Sequence, residues 1–289
     1  LDTQELIKVI TEEVVQSLNT KCPIGEKCGG CAGEFHCASQ RPDDVQNLIN
    51  VGASRVGAGL GIPDVGRSLA KYIDHTLLKP EATPQEIKKI CDEALQYNFA
   101  SVCIQPSYVG LAADLLRGSS VKVCTVIGFP LGSTSSAVKA YEAQLAEKEG
   151  AHEIDMVIHV GALKSGGYDY VEEDIRSVVK SVSQGTIVKV ILETALLDDN
   201  QKIKACELAK KAGADFVKTS TGFSKGGATA SDIALMRRVV GNSMGVKASG
   251  GVRNQQAAQL MIRMGASRIG ASASVKIVDD STSGSTSGY

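Results

Sequence analysis

Two lysines stand where lysine is costly. Lys218 lies in the apolar run 216–222 (FVKTSTG) and Lys247 in 246–251 (VKASGG), each followed at once by small residues. Lysine in a core-forming stretch is strongly disfavoured unless its amine has a task. A desolvated amine beside a second cation loses its proton near neutral pH and becomes a nucleophile toward carbonyls. A single lysine at a strand end usually snorkels its ammonium to solvent; two in the same setting favour chemistry. A second candidate is the thiol cluster Cys22, Cys28, Cys31 and Cys37, which contains one Cys-x-x-Cys. In a reducing compartment such a cluster suits structural zinc or an iron–sulfur cluster. Its outer spacings match no standard finger, and unligated thiols in a linker are an equal reading.

Composition narrows the classes. The chain has 289 residues, 43% hydrophobic and 22% charged, with a formal net charge of −1. No global basic field argues for nucleic acid or an anionic membrane. Tryptophan is absent and aromatics are only 4%, which suits an aliphatic α/β core better than base-stacking platforms. No apolar run approaches the roughly 20 residues that span a bilayer. The first residues lack the basic and apolar segments of a signal peptide. A cytoplasmic location is expected.

The elements that must position these residues follow a regular pattern. From residue 66 onward, short apolar strands alternate with helical segments, the signature of a parallel sheet. Strands are expected at 72–76, 100–105, 122–128, 153–158, 187–193, 215–219, 245–248 and 267–270. Helices are expected between them and, last, near 272–278. Eight βα units in about 215 residues predict a (β/α)8 TIM barrel over 66–280. Residues 281–289, rich in Ser, Thr and Gly, read as a flexible tail ending in Tyr289.

An N-terminal helical and Cys-rich extension precedes the barrel. Residues 1–20 read as an amphipathic helix, with Leu6, Ile7, Ile10, Val14 and Leu18 on one face. It can dock on its own barrel or a sister subunit, or serve as a docking tag for a larger assembly. Residues 21–65 form a linker holding the thiols and a short barrel-like fragment, 46–61, which resembles 259–274 in sequence.

In such barrels the active site lies at the C-terminal ends of the strands. Polar residues expected there are Asp74 and Thr76 on strand 1, Asp155 on strand 4, Lys189 and Glu193 on strand 5, Lys218 on strand 6 and Lys247 on strand 7. Adjacent strands lie roughly 4.8 Å apart, so two inward lysines crowd each other and one is expected to lose its proton. The neutral amine attacks an aldehyde, and the iminium serves as an electron sink for breaking or forming a C–C bond. Asp155 is suited to moving protons. Thr221, Gly222, Gly250, Gly251, Gly270 and Ser272 follow strands 6, 7 and 8, where loop N–H groups can cradle a phosphate. No catalytic cofactor is required. His75, His152 and His159 form no obvious metal-ligand set with carboxylates, which weighs against a metal-dependent aldolase.

The stretches 72–80 (YIDHTLLKP), 101–106 (SVCIQP), 126–132 (VIGFPLG), 153–158 (EIDMVI), 189–194 (KVILET), 217–223 (VKTSTGF) and 246–253 (VKASGGVR) resemble the 2-deoxyribose-5-phosphate aldolase family of class I aldolases. The resemblance covers nearly the whole barrel. It implies reversible cleavage of 2-deoxy-D-ribose 5-phosphate to D-glyceraldehyde 3-phosphate and acetaldehyde. It assigns the Schiff base to Lys218, its activation to Lys247 and proton transfer to Asp155. Asp74, Thr76, Cys103 and Lys189 are expected on the substrate side, and Tyr289 as a mobile proton-transfer residue. Phe223 and Ala273 depart from the pattern, standing where some relatives carry a phosphate-side lysine and a second serine. The extension resembles tags that load enzymes into bacterial microcompartments, which makes a shell protein the expected partner of residues 1–20. A homo-oligomer is expected. The alternatives are a class I aldolase or transaldolase on another phosphorylated aldehyde, or a non-catalytic barrel acting as a binding protein.

Overall fold

The computed structural model describes residues 69–283. The helix expected at 1–20, the thiols Cys22, Cys28, Cys31 and Cys37, the fragment 46–61 and Tyr289 lie outside the described residues. Within them, eight strands form a closed barrel in chain order: β1 (Ile73–Leu77), β2 (Ser101–Ile104), β3 (Lys122–Ile127), β4 (Glu153–Val157), β5 (Ile187–Ile191), β6 (Phe216–Lys218), β7 (Gly245–Ser249) and β8 (Arg268–Ala271). Every neighbouring pair is parallel, including β8 against β1. A helix follows each strand, as the alternation of periods 2 and 3.6 predicts. Three details differ from expectation. A short helix, Val160–Lys164, is inserted after β4, the last helix runs Ser274–Ser283, past residue 280, and β5 ends at Ile191, so Glu193, expected on strand 5, lies beyond it at the start of a short 3-10 turn.

The alternation within strands sorts residues between two environments. On β4, Ile154 and Met156 join the main apolar core, and on β5 Val188 and Val190 do the same. These side chains pack outward under the helices, and each fully buried aliphatic contributes about 1.5–3 kcal/mol of transfer free energy. The opposite faces of the same strands carry Glu153, Asp155 and Lys189, all buried. A smaller apolar cluster holds Leu78, Cys103, Cys124 and Val126, with Phe129 against it. The inward strand faces mix charged side chains with apolar ones, Val157 and Ile191 among them, and the helical jacket supplies most of the hydrophobic stability.

Caps hold the helices at the lengths the site needs. Thr83 and Glu86 form a reciprocal capping box at the start of Pro84–Tyr97, and Asp198 with Gln201 does so for Asp199–Ala212. Gly213 ends the latter helix in the left-handed region at φ 89°. That turn returns the chain directly into β6, the strand that delivers Lys218.

Candidate active site

β6 ends on Lys218, which pairs in register with Lys247 of β7. Both amines converge on one carboxylate oxygen: Lys218 Nζ donates to Asp155 Oδ2 at 2.8 Å and Lys247 Nζ at 2.7 Å. The other oxygen, Asp155 Oδ1, accepts from Lys189 Nζ at 2.7 Å. Around this centre lies a second ring of ion pairs. Lys247 Nζ is 2.6 Å from Asp74 Oδ2, and Lys189 Nζ is 2.7 Å from Glu153 Oε2. Arg268 Nη1 links the ring, 2.5 Å from Asp74 Oδ1 and 3.1 Å from Glu153 Oε2. Gly270 makes room for this: a Cβ there would sit 2.3 Å from Ser249 Oγ and 3.1 Å from Lys247 Cε.

Among the described residues, the interior thus holds four cations, Lys189, Lys218, Lys247 and Arg268, against three carboxylates, Asp74, Glu153 and Asp155. Burial pushes Asp155 up, but Lys189, Lys218 and Lys247 outweigh it and hold the group well below the usual carboxylate range. Asp74 is likewise pushed up by burial and drawn below its ordinary value by Lys247, Lys189 and Arg268. Burial pulls Lys247 down, yet Asp155 and Asp74 more than restore it, so it is held as a cation. Lys189 follows the same pattern, with Asp155, Cys124 and Glu153 outweighing burial. Lys247, Lys189 and Arg268 each touch two carboxylates, whereas Lys218 touches only the Asp155 oxygen it shares with Lys247. Lys218 is thus the interior cation with the fewest carboxylate contacts.

Lys218 is also the member of this network that reaches the main cavity, a cleft of about 420 Å3 at the C-terminal ends of the strands. Its walls include Thr76, Thr221, Gly222, Gly250, Gly251, Gly270 and Ser272, as the sequence places them. Gly250 cannot carry a side chain. Its φ is 85°, and a Cβ would lie 2.9 Å from Gly227 Cα, where the loops after β6 and β7 press together. Lys189 and Asp74, expected on the substrate side, are fully buried, like Asp155 and Lys247, and are held by their ion pairs. Cys103 is fully buried too, beside Cys124 on the adjacent strand, which lowers its thiol by hydrogen bonding.

The structure adds residues the sequence reading passed over. Glu153 lies two positions before Asp155, so alternation alone places it on the inner face. Arg268 opens β8 in an apolar stretch, the same signal that exposed the lysines. Arg253 lines the cavity together with Gly250, Gly251 and Phe223.

A buried lysine that reaches a cavity in a closed parallel barrel, hydrogen-bonded to a buried carboxylate, is the arrangement of a Schiff-base barrel enzyme. The chain belongs to the DeoC/LacD family of aldolases, whose profile matches residues 68–288. It is 61% identical over 220 residues to a deoxyribose-phosphate aldolase of Clostridium perfringens (strain SM101 / Type A), covering 76% of this chain and 98% of the relative. It is 61% identical over 215 residues to a deoxyribose-phosphate aldolase of Caldanaerobacter subterraneus subsp. tengcongensis, covering 74% and 93%. Among solved structures, the tetrameric deoxyribose phosphate aldolase of Aeropyrum pernix superposes with a TM-score of 0.71 at 36% identity, covering 82% of this chain and 98% of that one.

Proposed function

We propose that this chain is a class I aldolase that reversibly cleaves 2-deoxy-D-ribose 5-phosphate to D-glyceraldehyde 3-phosphate and acetaldehyde. One observation carries the reading: of the four interior cations, only Lys218 both reaches the cavity and lacks a carboxylate of its own. Losing its proton brings the network to neutrality, and the amine then attacks the substrate C1 carbonyl. Loss of water from the carbinolamine gives an iminium, restoring the positive charge the site is built to hold beside Asp155.

Asp155 accepts a hydrogen bond from the Lys218 amine at 2.8 Å and is the base assigned to the C3 hydroxyl of a substrate anchored there. Taking that proton while the iminium accepts electrons breaks C2–C3, releases the phosphorylated aldehyde and leaves an enamine. Reprotonation at C2 and hydrolysis return acetaldehyde and the free lysine. Water released on imine formation is consumed on hydrolysis, so no cofactor enters the balance. Gly222, Gly250, Gly251 and Ser272 offer donors to the phosphate, and Arg253 a cation.

The test is borohydride reduction in the presence of acetaldehyde, followed by peptide mapping. A two-carbon adduct on Lys218, absent from Lys218→Ala, is expected. An adduct on Lys247 or Lys189 instead would overturn the assignment. The wider setting is part of the same reading: a homo-oligomeric enzyme, with residues 1–20 docking on a microcompartment shell protein that confines acetaldehyde. Among the described residues no helix is long and apolar enough to cross a membrane. Deleting residues 1–20 should abolish co-purification with shell proteins; unchanged co-purification rules out the tag.

A further inference from the structure

Glu193 carries two costs that the reaction as described does not use. It is one of two non-glycine residues among those described with a left-handed backbone, at φ 56°. Its carboxylate is also buried, with the residue 4% exposed and Oε1 lacking any hydrogen-bond partner. A strained backbone and a half-satisfied buried carboxylate each disfavour the fold and persist where the surroundings hold them for a purpose.

The other oxygen shows the purpose. Glu193 Oε2 accepts from the Thr221 backbone N–H at 3.2 Å and from Thr221 Oγ1 at 2.5 Å. Thr221 Oγ1 in turn accepts from the Phe223 N–H at 3.1 Å. A threonine hydroxyl has one proton to give and two lone pairs. Its proton is committed to Glu193 and one lone pair to Phe223. What remains toward the cavity is an acceptor with no donor capacity. Thr221 lines the main cavity with Lys218 and also the smaller cavity that Glu193 lines, so it is the shared wall between carboxylate and substrate.

We infer that Glu193 is a specificity-determining positioning residue, which fixes Thr221 as a hydrogen-bond acceptor for a substrate hydroxyl. Building on the aldolase reading, the hydroxyl can be named by its place. Thr221 lines the cavity with Lys218, which holds C1, and with Gly222, one of the donors proposed for the phosphate. The group it meets is the C4 hydroxyl of the sugar phosphate, which is the C2 hydroxyl of the three-carbon aldehyde. A site so built rejects an aldehyde lacking that hydroxyl, because the acceptor is then buried unpaired.

The experiment compares kcat/KM for condensing acetaldehyde with D-glyceraldehyde 3-phosphate and with 3-phosphooxypropanal, its analogue without the hydroxyl. The wild type is expected to prefer the hydroxylated aldehyde by about 10- to 100-fold. Glu193→Asp keeps the charge but withdraws the acceptor from Thr221, and its preference should fall to within about threefold of unity. Glu193→Gln keeps an acceptor without the charge and should retain most of the preference. Thr221→Val should behave as Glu193→Asp does. A merely structural or electrostatic Glu193 gives the opposite order, with Asp tolerated and Gln not. Any pattern other than loss in Asp and retention in Gln overturns the inference. If the wild type forms no C–C bond with either aldehyde, the aldolase reading falls and this inference with it; bond formation without discrimination removes the inference alone.

Discussion

Replacing Lys247 by methionine tests the charge count directly. The substitution keeps the length of the stem and removes one buried cation from a network that has one more cation than carboxylates. Lys218 and Lys247 share an oxygen at 2.8 and 2.7 Å, so their nitrogens are separated by at most two hydrogen-bond lengths. At about 5 Å and an effective dielectric of about 20, two unit charges repel by roughly 3 kcal/mol, about two pH units of differential stabilisation. Without Lys247 the remaining cations and carboxylates balance when Lys218 is an ammonium, so a neutral Lys218 requires more alkaline solution. The acid limb of kcat/KM for cleavage should therefore move up by about two pH units.

The fold should survive with a cost of about 3 kcal/mol, at the low end for a broken buried pair. Asp155 keeps Lys189 and Lys218, and Asp74 keeps Arg268. The stability and activity effects separate by pH. Lys247 is held above its unfolded value, so its contribution is fully present below the unfolded range and is lost only as pH rises through its folded value. Between about pH 6 and 9 the stability difference is flat, and movement of the limb in that window cannot come from unfolding. A folded variant whose acid limb coincides with the wild type would refute the charge argument.

Asp155→Asn should lower kcat for cleavage by about 10²- to 10⁴-fold, the usual range for a removed proton-transfer group; a variant keeping a tenth of wild-type turnover would rule Asp155 out of that role. Phe223→Lys places a cation on a half-exposed wall of the cavity, and KM for the phosphorylated substrate should fall about 3- to 10-fold at low salt. A KM indifferent to both the lysine and the salt would mean that the phosphate lies elsewhere. Urea unfolding should show its steepest pH dependence below about pH 4. There the depressed Asp74 and Asp155 give stability that is present above their unfolded values and lost as pH falls. A shallower decline should begin below about pH 6.5. Burial depresses His75, so the unfolded chain takes up a proton there that the folded chain does not. A midpoint independent of pH down to about pH 3 would contradict both.

Much of this protein is legible in one dimension. The order and type of the eight βα units follow from local periodicity, and so do Lys218 and Lys247 at strand ends, because each signal spans only a few residues. The same alternation that placed Asp155 inward also placed Glu153, and Arg268 could have been found by the rule that found the lysines. What the chain order could not supply is depth and partnership. Lys189 pairs across the sheet with Asp155 and with Phe216, and therefore sits a layer below Lys218, which pairs with Ile191. That stagger belongs to the closed barrel, and it sets Lys189 among its buried ion-pair partners. Glu153 and Arg268 are 115 residues apart and meet only because β8 closes against β1. The sum of charges around Asp155 likewise exists only in three dimensions. Local sequence decides which face of a strand a side chain occupies; closure of the sheet decides which other side chains it meets, and those contacts leave Lys218 with one carboxylate and access to the cavity.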